Sequence, residues 1–273
     1  MLGAIIGDIV GSVYEFDNLR SKDFEMFSEN SFVTDDSIMT IAVAKSIMEA
    51  YGKLSLTDEN LEEFAQILSE KAIENLQSIG QNYPHCGYGG RFYNWIFSNN
   101  PNPYNSYGNG AAMRISPVGF FANSIEQVKL LSKAVTEISH NHPEGIKGAE
   151  ATAIMIYAAK KGKDKAELER LAKKYYDLDF TIDEIRPTYR FNETCQETVP
   201  QAIKAFLESE DFEDAIRTAI SVGGDSDTLA AITGSIAEAY YGVPEVFEKI
   251  AIGYFDERLE EIYFDWKDFI YNM

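Results

Sequence analysis

The chain has 273 residues, of which 45% are hydrophobic and 25% charged, as is typical of a folded globular protein. Its 44 acidic residues outnumber 24 basic ones, which gives a formal net charge of −20. Because such an acidic surface repels phosphate backbones, we do not expect stable binding to nucleic acid. The only cysteines, Cys86 and Cys195, are too few for a disulfide framework or a thiolate zinc site, and they fit a reducing cytoplasm.

No apolar run approaches the roughly 20 residues needed to cross a bilayer, so we expect no membrane association. The first residues, MLGAIIGDIVGSVYEF, superficially resemble a signal peptide. They lack a basic leading segment and contain Asp8 and Glu15. We therefore interpret them as part of a mature cytoplasmic protein.

Apolar residues recur at helical spacing along most of the chain, and no segment alternates for long enough to indicate a sheet. This pattern predicts an all-α fold. The predicted helices are 38–51, 61–76, 125–138, 145–161, 164–176, 198–208, 211–221 and 228–241. With no linker, repeat or low-complexity tract, residues 1–273 are predicted to form a single domain. The irregular stretches 78–109 and 177–198 are long enough to be functional loops.

The first segment of interest is GAIIGDIVGSVYE, residues 3–15. Glycines recur every four residues, which would place them on one helix face where another backbone can approach closely. Asp8 and Glu15 are seven residues apart and would share a different face of that helix. On the residues alone, these two acids could equally be ordinary solvated side chains.

Two acidic strings precede predicted helices: Thr34-Asp35-Asp36-Ser37, and Gly223-Gly224-Asp225-Ser226-Asp227-Thr228. A helix cap explains one oxygen-bearing residue in each string. It does not explain the Gly-Gly-Asp-x-Asp-Thr pattern. Carboxylate and hydroxyl oxygens are the ligands that hard divalent cations prefer. Taken together, the two strings favour a site for a pair of divalent ions.

A glycine-rich loop, NSYGNGAAMR, occupies residues 105–114. Its glycines could expose N–H groups to a phosphate, although an ordinary turn explains the loop as well. Farther on, His140 and His142 are two residues apart and so cannot share a helix face. We predict a helix that starts at Pro143, with His140 facing a cleft.

Five motifs occur in order between residues 3 and 242: GAIIGDIVGSVYE, TDDS, SYGNGAAMR, SHNHPEG and GGDSDTLAAITGSIAEAYYG. In this order they resemble the ADP-ribosylglycohydrolase family, which includes dinitrogenase reductase-activating glycohydrolase and the ADP-ribosyl-acceptor hydrolases. The resemblance implies a compact, orthogonal all-α bundle with two Mg²⁺ or Mn²⁺ ions. It also implies hydrolysis of the glycosidic bond at C1″ of an ADP-ribosyl group.

Carried over by motif, the implied metal ligands are Thr34, Asp35, Asp36, Asp225, Asp227 and Thr228. The resemblance places Glu15 near the metals and the scissile ribose. The ADP-ribose-binding residues that it implies are Gly89, Gly90, Ser106, Tyr107, Gly108, Asn109, Gly110 and His140. Ser37 and Ser226 stand where the family often has threonine, and both retain a hydroxyl group.

We expect the substrate to be an ADP-ribosylated protein or a small ADP-ribose conjugate, and the product to be ADP-ribose. Glu15 and Asp35 are the candidates to accept the proton of the attacking water. Arginine is the favoured acceptor, because a cationic acceptor suits an acidic rim. The alternatives are serine-linked, nucleobase-linked or acetylated ADP-ribose, a catalytically silent ADP-ribose-binding protein, and a metal-dependent phosphohydrolase acting on the diphosphate of a nucleotide sugar.

Overall fold

The predicted all-α fold is confirmed. The structure, a computed structural model, describes residues 1–273 and contains no β-strand. A lone bridge pairs Gly108 with Thr194. The helices are α1 (Leu2–Gly11), α2 (Asp35–Lys53), α3 (Leu61–Gly80), α4 (Gly90–Ile96), α5 (Gly110–Met113), α6 (Ser116–Phe121), α7 (Ile125–Thr136), α8 (Pro143–Lys160), α9 (Lys165–Ala172), α10 (Ile182–Ile185), α11 (Cys195–Glu208), α12 (Phe212–Ile220), α13 (Ser226–Tyr241), α14 (Glu245–Ile252) and α15 (Glu257–Tyr271).

Every helix predicted from periodicity is present, with ends shifted by a few residues. The sequence analysis missed α14 and α15, although α15 buries a helical stripe formed by Leu259, Ile262, Tyr263 and Trp266. It also missed the short helices within the irregular stretches, of which α4 is one. No helix combines the length and apolar character that crossing a membrane requires.

The crossing of α1 and α13 lies at the centre of the fold, and both helices are buried along most of their length. Their backbones touch through small residues, as the glycine spacing predicted. A Cβ atom on Gly7 would lie 2.1 Å from the carbonyl oxygen of Ala230, and one on Gly3 would lie 2.1 Å from that of Gly234. Larger side chains would force the two helices apart.

This crossing also brings the end of α1 to the start of α13. A Cβ atom on Gly11 would lie 2.4 Å from the Cα atom of Asp227. Helix α2 packs beside both, so its first residues lie near the same point. The two acidic strings are therefore brought together by packing, although 190 residues separate Asp35 from Asp225 in the sequence.

Candidate active site

A cleft of about 420 Å³ opens where the starts of α2 and α13 meet the end of α1. Its walls include all the residues that the sequence analysis selected except Tyr107: Glu15, Thr34, Asp35, Asp36, Gly89, Gly90, Ser106, Gly108, Asn109, Gly110, His140, Asp225, Asp227 and Thr228. The structure thus assembles in one cavity residues from six separate segments of the chain.

Asp8 is fully buried beneath the start of α2 and fixes its geometry. Its carboxylate accepts hydrogen bonds from the backbone N–H of Thr34 at 3.0 Å and from the Thr34 hydroxyl at 2.5 Å. It also accepts from the backbone N–H and the hydroxyl of Ser37. Thr34 caps the helix as predicted, because its Oγ1 accepts from the N–H of Asp36 at 3.2 Å.

The start of α13 is different, because the side chain of Asp225, which precedes its first residue, does not cap the helix. Asp225 forms no side-chain capping bond. Its Oδ2 instead accepts a hydrogen bond of 2.6 Å from the amide of Asn109, which also donates to the hydroxyl of Thr198. The two helix starts are linked where the Thr228 hydroxyl donates to Asp36 at 3.2 Å.

Carboxylates crowd together in this cleft. One oxygen from each of Asp8, Asp36 and Asp227 lies within 4.8 Å of the others, and the same holds for Glu15, Asp225 and Asp227. Burial raises the pKa of Asp36 and of Asp227 well above the usual range, and the neighbouring carboxylates raise it further. Asp36 Oδ1 is buried without any hydrogen-bond partner. Such an arrangement favours the binding of cations.

Asp35, the first residue of α2, and Glu15, in the turn after α1, line the same cavity. The N–H of Asp35 donates to the carbonyl of Cys86 at 3.0 Å. Burial raises the pKa of Asp35 well above its usual range, and Asp227 and Asp8 raise it further. The pKa of Glu15 rises to about 8, first through burial and then through Asp227 and Glu193.

The predicted pairing of Asp8 with Glu15 on one helix face is wrong. Helix α1 ends at Gly11, so Glu15 lies in the turn that follows. Gly11, the last residue of α1, packs closely against Asp227. The turn brings Glu15 into the cleft, whereas Asp8 stays buried beneath α2.

The loop from Ser106 to Gly110 forms the opposite wall. The expectation that the N–H of Gly108 is exposed is wrong, because it donates to Ser106 Oγ at 3.1 Å. The N–H of Asn109 is also engaged, and it donates to the carbonyl of Glu193 at 2.8 Å. A side chain on Gly89 or Gly90 would meet no atom within 4 Å, so both glycines border open space in the cleft.

Tyr107 lies outside the main cleft, in an adjoining groove of about 550 Å³ that also contains Arg91 and Phe191. His140 lies in the cleft just before α8, which starts at Pro143 as predicted. Burial lowers the pKa of His140 well below its usual range, and Arg114 and Arg91 lower it further. The ring is therefore neutral.

Polar and glycine neighbours surround the ring of His140. Arg114, fully buried, donates to Ser139 Oγ at 2.8 Å. Ser139 Oγ in turn lies 2.8 Å from His140 Nδ1. The other ring nitrogen, Nε2, is the one nearest Gly108 and Gly110.

Comparison with known proteins identifies the family. The family model described as ADP-ribosylglycohydrolase matches residues 1–263. The chain belongs to the ADP-ribosylglycohydrolase family. Membership makes it an enzyme that hydrolyses ADP-ribosyl glycosidic bonds.

Among curated relatives, ADP-ribosylhydrolase ARH3 from Homo sapiens is 24% identical, over 93% of this chain and 88% of its own length. ADP-ribosylarginine hydrolase Tri1 from Pseudomonas putida is 26% identical, over 97% and 76%. ADP-ribosyl-[dinitrogen reductase] glycohydrolase from Rhodospirillum rubrum is 26% identical, over 90% and 85%. A solved structure titled ADP-ribosylglycohydrolase-related protein complex superposes with a TM-score of 0.64 at 20% identity, covering 96% and 94% of the chains. The structural match agrees with the all-α fold.

Two roles visible in the structure were not predicted. The sequence analysis noted Asp8 but did not connect it to Thr34, although it is the only charged residue in a helix that is otherwise apolar or glycine. A single charged residue in an otherwise apolar helix is the sequence feature that could have indicated this role. The bond from Asn109 to Asp225 had no such signal, because 116 residues separate the partners.

Proposed function

We propose that the chain hydrolyses the bond between C1″ of an ADP-ribosyl group and its acceptor, releases ADP-ribose, and depends on two Mg²⁺ or Mn²⁺ ions. One observation carries this proposal. Two acidic helix starts meet in one cleft, where a buried oxygen of Asp36 has no partner and lies among other carboxylates.

The donor set fits a pair of hard divalent cations. The proposed ligands are Thr34, Asp35, Asp36, Asp225, Asp227 and Thr228. All are oxygen donors, which Mg²⁺ and Mn²⁺ prefer. Burying several carboxylates side by side is costly without compensating positive charge. When bound, such a pair of ions orients the hydrolytic water and the ribose hydroxyls and offsets negative charge.

The chain's own residues would handle the proton. Glu15 and Asp35 line the cleft, and we propose that one of them accepts the proton of the attacking water. A pKa raised to about 8 places Glu15 near neutral pH, where a carboxyl group can both accept and release a proton. As the bond to the acceptor breaks, positive charge develops on the ribose, as in other glycoside hydrolyses. Nearby carboxylates would stabilise that charge.

The other wall would hold the ADP part of the substrate. Open space over Gly89 and Gly90 lets a diphosphate approach the backbone. The Ser106–Gly110 loop faces that space, and Nε2 of His140 would form a hydrogen bond with the ligand. Tyr107, in the adjoining groove, would contact the ligand where it extends beyond the main cleft.

For the acceptor, we propose a protein arginine, because a cationic group suits a cleft rim that carries Glu15 and Glu193. The relative from Pseudomonas putida is named as an ADP-ribosylarginine hydrolase. Serine-linked, nucleobase-linked and acetylated ADP-ribose are the other acceptors that the test must distinguish. We also propose that the protein acts in the cytoplasm.

The decisive experiment incubates the purified protein with an arginine-ADP-ribosylated protein and with a serine-ADP-ribosylated peptide, with Mg²⁺ or with EDTA. Mass spectrometry then identifies the products. We expect free ADP-ribose only with metal, and faster release from arginine. Release of AMP instead would indicate a phosphohydrolase. No release with metal bound would indicate a binding protein or another acceptor.

The matched variants are Asp225→Asn with Asp227→Asn, and Glu261→Gln with Asp265→Asn as the control. Both pairs remove two negative charges, but the control pair lies on the exposed face of α15. We expect the first pair to lose metal binding and hydrolysis, and the control pair to keep both. Intact metal binding and turnover in the first pair would refute the proposed metal centre.

A further inference from the structure

Three phenylalanine side chains surround the mouth of the cleft beside Glu15. Phe16, Phe32 and Phe191 are 85%, 51% and 39% exposed. Single exposed apolar residues are common on protein surfaces, but three that converge on one cavity indicate a binding surface. Each ring comes from a segment that also supplies a residue to the cleft wall.

Two of these rings form a preassembled surface. The rings of Phe16 and Phe191 are stacked, with centroids 6.0 Å apart and planes inclined by 20°. The loops that carry them are tied together by Arg20, which donates to the carbonyl of Val222 at 2.7 Å and to those of Arg186 and Tyr189. Rings held in place before binding lose little conformational entropy when a ligand arrives.

The charged cleft-lining residues nearest to the rings in sequence are acidic. Glu15 and Glu193 line the cleft near these rings and are not among the six proposed metal ligands. Among the lining residues Arg91 is the one lysine or arginine. Its guanidinium lies 4.8 Å from the centre of the Tyr104 ring and donates to the carbonyl of Tyr104. The carboxyl groups beside the rings therefore favour a cation, and the one basic side chain of the cleft is engaged by Tyr104.

We propose that Phe16, Phe32 and Phe191 form the acceptor subsite, and that they bind the guanidinium of ADP-ribosylated arginine. This inference rests on the proposed glycohydrolase function. A guanidinium is planar, cationic and weakly hydrated, so it stacks on aromatic rings while carboxylates nearby compensate its charge. A serine or acetyl acceptor has neither the plane nor the charge, and it gains little from these rings.

The test compares Phe16→Ala, Phe16→Leu, Phe16→Trp and Phe191→Ala with Phe264→Ala, which removes a 41%-exposed ring on α15 outside the cleft. Kinetics are measured on ADP-ribosyl-arginine and on a serine-ADP-ribosylated peptide, and ADP-ribose affinity is measured by calorimetry. We expect both alanine variants to lower kcat/KM for the arginine substrate about 5- to 30-fold, through KM. Phe16→Leu should lose nearly as much, and Phe16→Trp should retain activity.

ADP-ribose lacks the acceptor, so its affinity should not change in the Phe16 variants, and the serine substrate should change less than about twofold in them. Phe191 also lines the groove that contains Tyr107, so the ADP-ribose criterion applies to Phe16 alone. Equal losses on both substrates, weaker ADP-ribose binding, or unchanged arginine kinetics would each overturn the proposal. So would a wild type that hydrolyses the serine linkage alone.

A wild type that releases ADP-ribose from neither substrate would instead refute the proposed activity. The proposed subsite would then be tested by binding measurements alone. If it exists, intact ADP-ribosyl-arginine should bind more tightly than ADP-ribose, and Phe16→Ala should remove that difference in affinity. Equal affinities in the wild type would overturn it.

Discussion

The hydroxyl of Thr34 donates a hydrogen bond of 2.5 Å to the buried carboxylate of Asp8. The same oxygen accepts from the N–H of Asp36, so one lone pair remains to face the cleft. A hydroxyl held in this way presents oxygen and not hydrogen to the cavity. If Thr34 is a metal ligand, as we propose, Asp8 would orient its oxygen for the cation without lining the cleft itself.

Replacing Asp8 should therefore weaken metal binding. In Asp8→Asn the amide keeps the volume of the side chain, but only one of its two terminal groups can accept a hydrogen bond. Thr34 and Ser37 lose part of their shared acceptor, so the Thr34 hydroxyl is free to rotate. We expect Mg²⁺ affinity, measured by calorimetry, to fall about 10- to 100-fold.

Asp23→Asn is the control for this change, because it removes one negative charge from an exposed loop. Its Mg²⁺ affinity should stay close to that of the wild type. If Asp8→Asn bound Mg²⁺ as tightly as the control, orientation of Thr34 by Asp8 would have no part in metal binding.

Metal-free protein should lose stability as the pH rises. Without a cation, the pKa values of Asp8 and Asp225 are raised to about 6 and that of Glu15 to about 8, while unfolding returns them to their ordinary values near 4. The folded chain then binds more protons than the unfolded chain. The stability that these groups contribute is fully present below their pKa values in the unfolded chain. It is lost as the pH rises through their pKa values in the folded chain.

We expect the melting temperature in EDTA to fall by about 5 °C or more between pH 6.5 and 8.5. The window starts at the ordinary pKa of histidine, so the lowered pKa of His140 adds little slope. Mg²⁺ should flatten the curve, and so should Asp225→Asn with Asp227→Asn. A wild-type curve in EDTA that is level over this range would show that the carboxylates are not held together as the structure has them.

The amide of Asn109 couples the ligand-binding loop to the proposed metal site. It holds Asp225 at 2.6 Å, so its loss should leave that carboxylate free to turn. We expect Asn109→Ala to lower Mg²⁺ affinity about tenfold in calorimetry. Asn102→Ala, on the exposed part of the same loop, should leave it unchanged. Equal Mg²⁺ affinities in the two variants would show that the bond from Asn109 to Asp225 does not contribute to metal binding.

The fold was predictable to the extent that burial imposes helical spacing. The stripes of α3 and α7 are legible because one face of each helix meets the core. The stripe of α15 has the same spacing, but acidic and aromatic neighbours obscured it. The end of α1 at Gly11 was not predicted, and the close contact of Gly11 with Asp227, far along the chain, has no local signal.

The site divides in the same way. Its residue set came from motifs whose order along the chain is specific, and all but Tyr107 line one cleft. Local sequence patterns could not predict the hydrogen-bond partner of each polar group. Asn109 was implied only as an ADP-ribose-binding residue, and its amide is held by Asp225, 116 residues away. Hydrogen bonds between distant segments are set by packing, which a local motif does not encode.

The crossing of α1 and α13 should be the least tolerant point of the fold. In Gly7→Ala the new methyl group would lie 2.1 Å from the Ala230 carbonyl oxygen, and backbone atoms of two buried helices would have to move apart. We expect the free energy of unfolding, measured in urea, to fall by about 3 kcal/mol or more. Gly52→Ala is the matched control, because a Cβ atom there meets nothing within 4 Å and alanine favours the helix. It should raise the stability by up to about 1 kcal/mol.

Since the same crossing places Asp227 against the end of α1, Gly7→Ala protein that stays folded should also bind Mg²⁺ more weakly than the Gly52→Ala protein. Equal stability of the two variants would mean that the helices do not touch at Gly7.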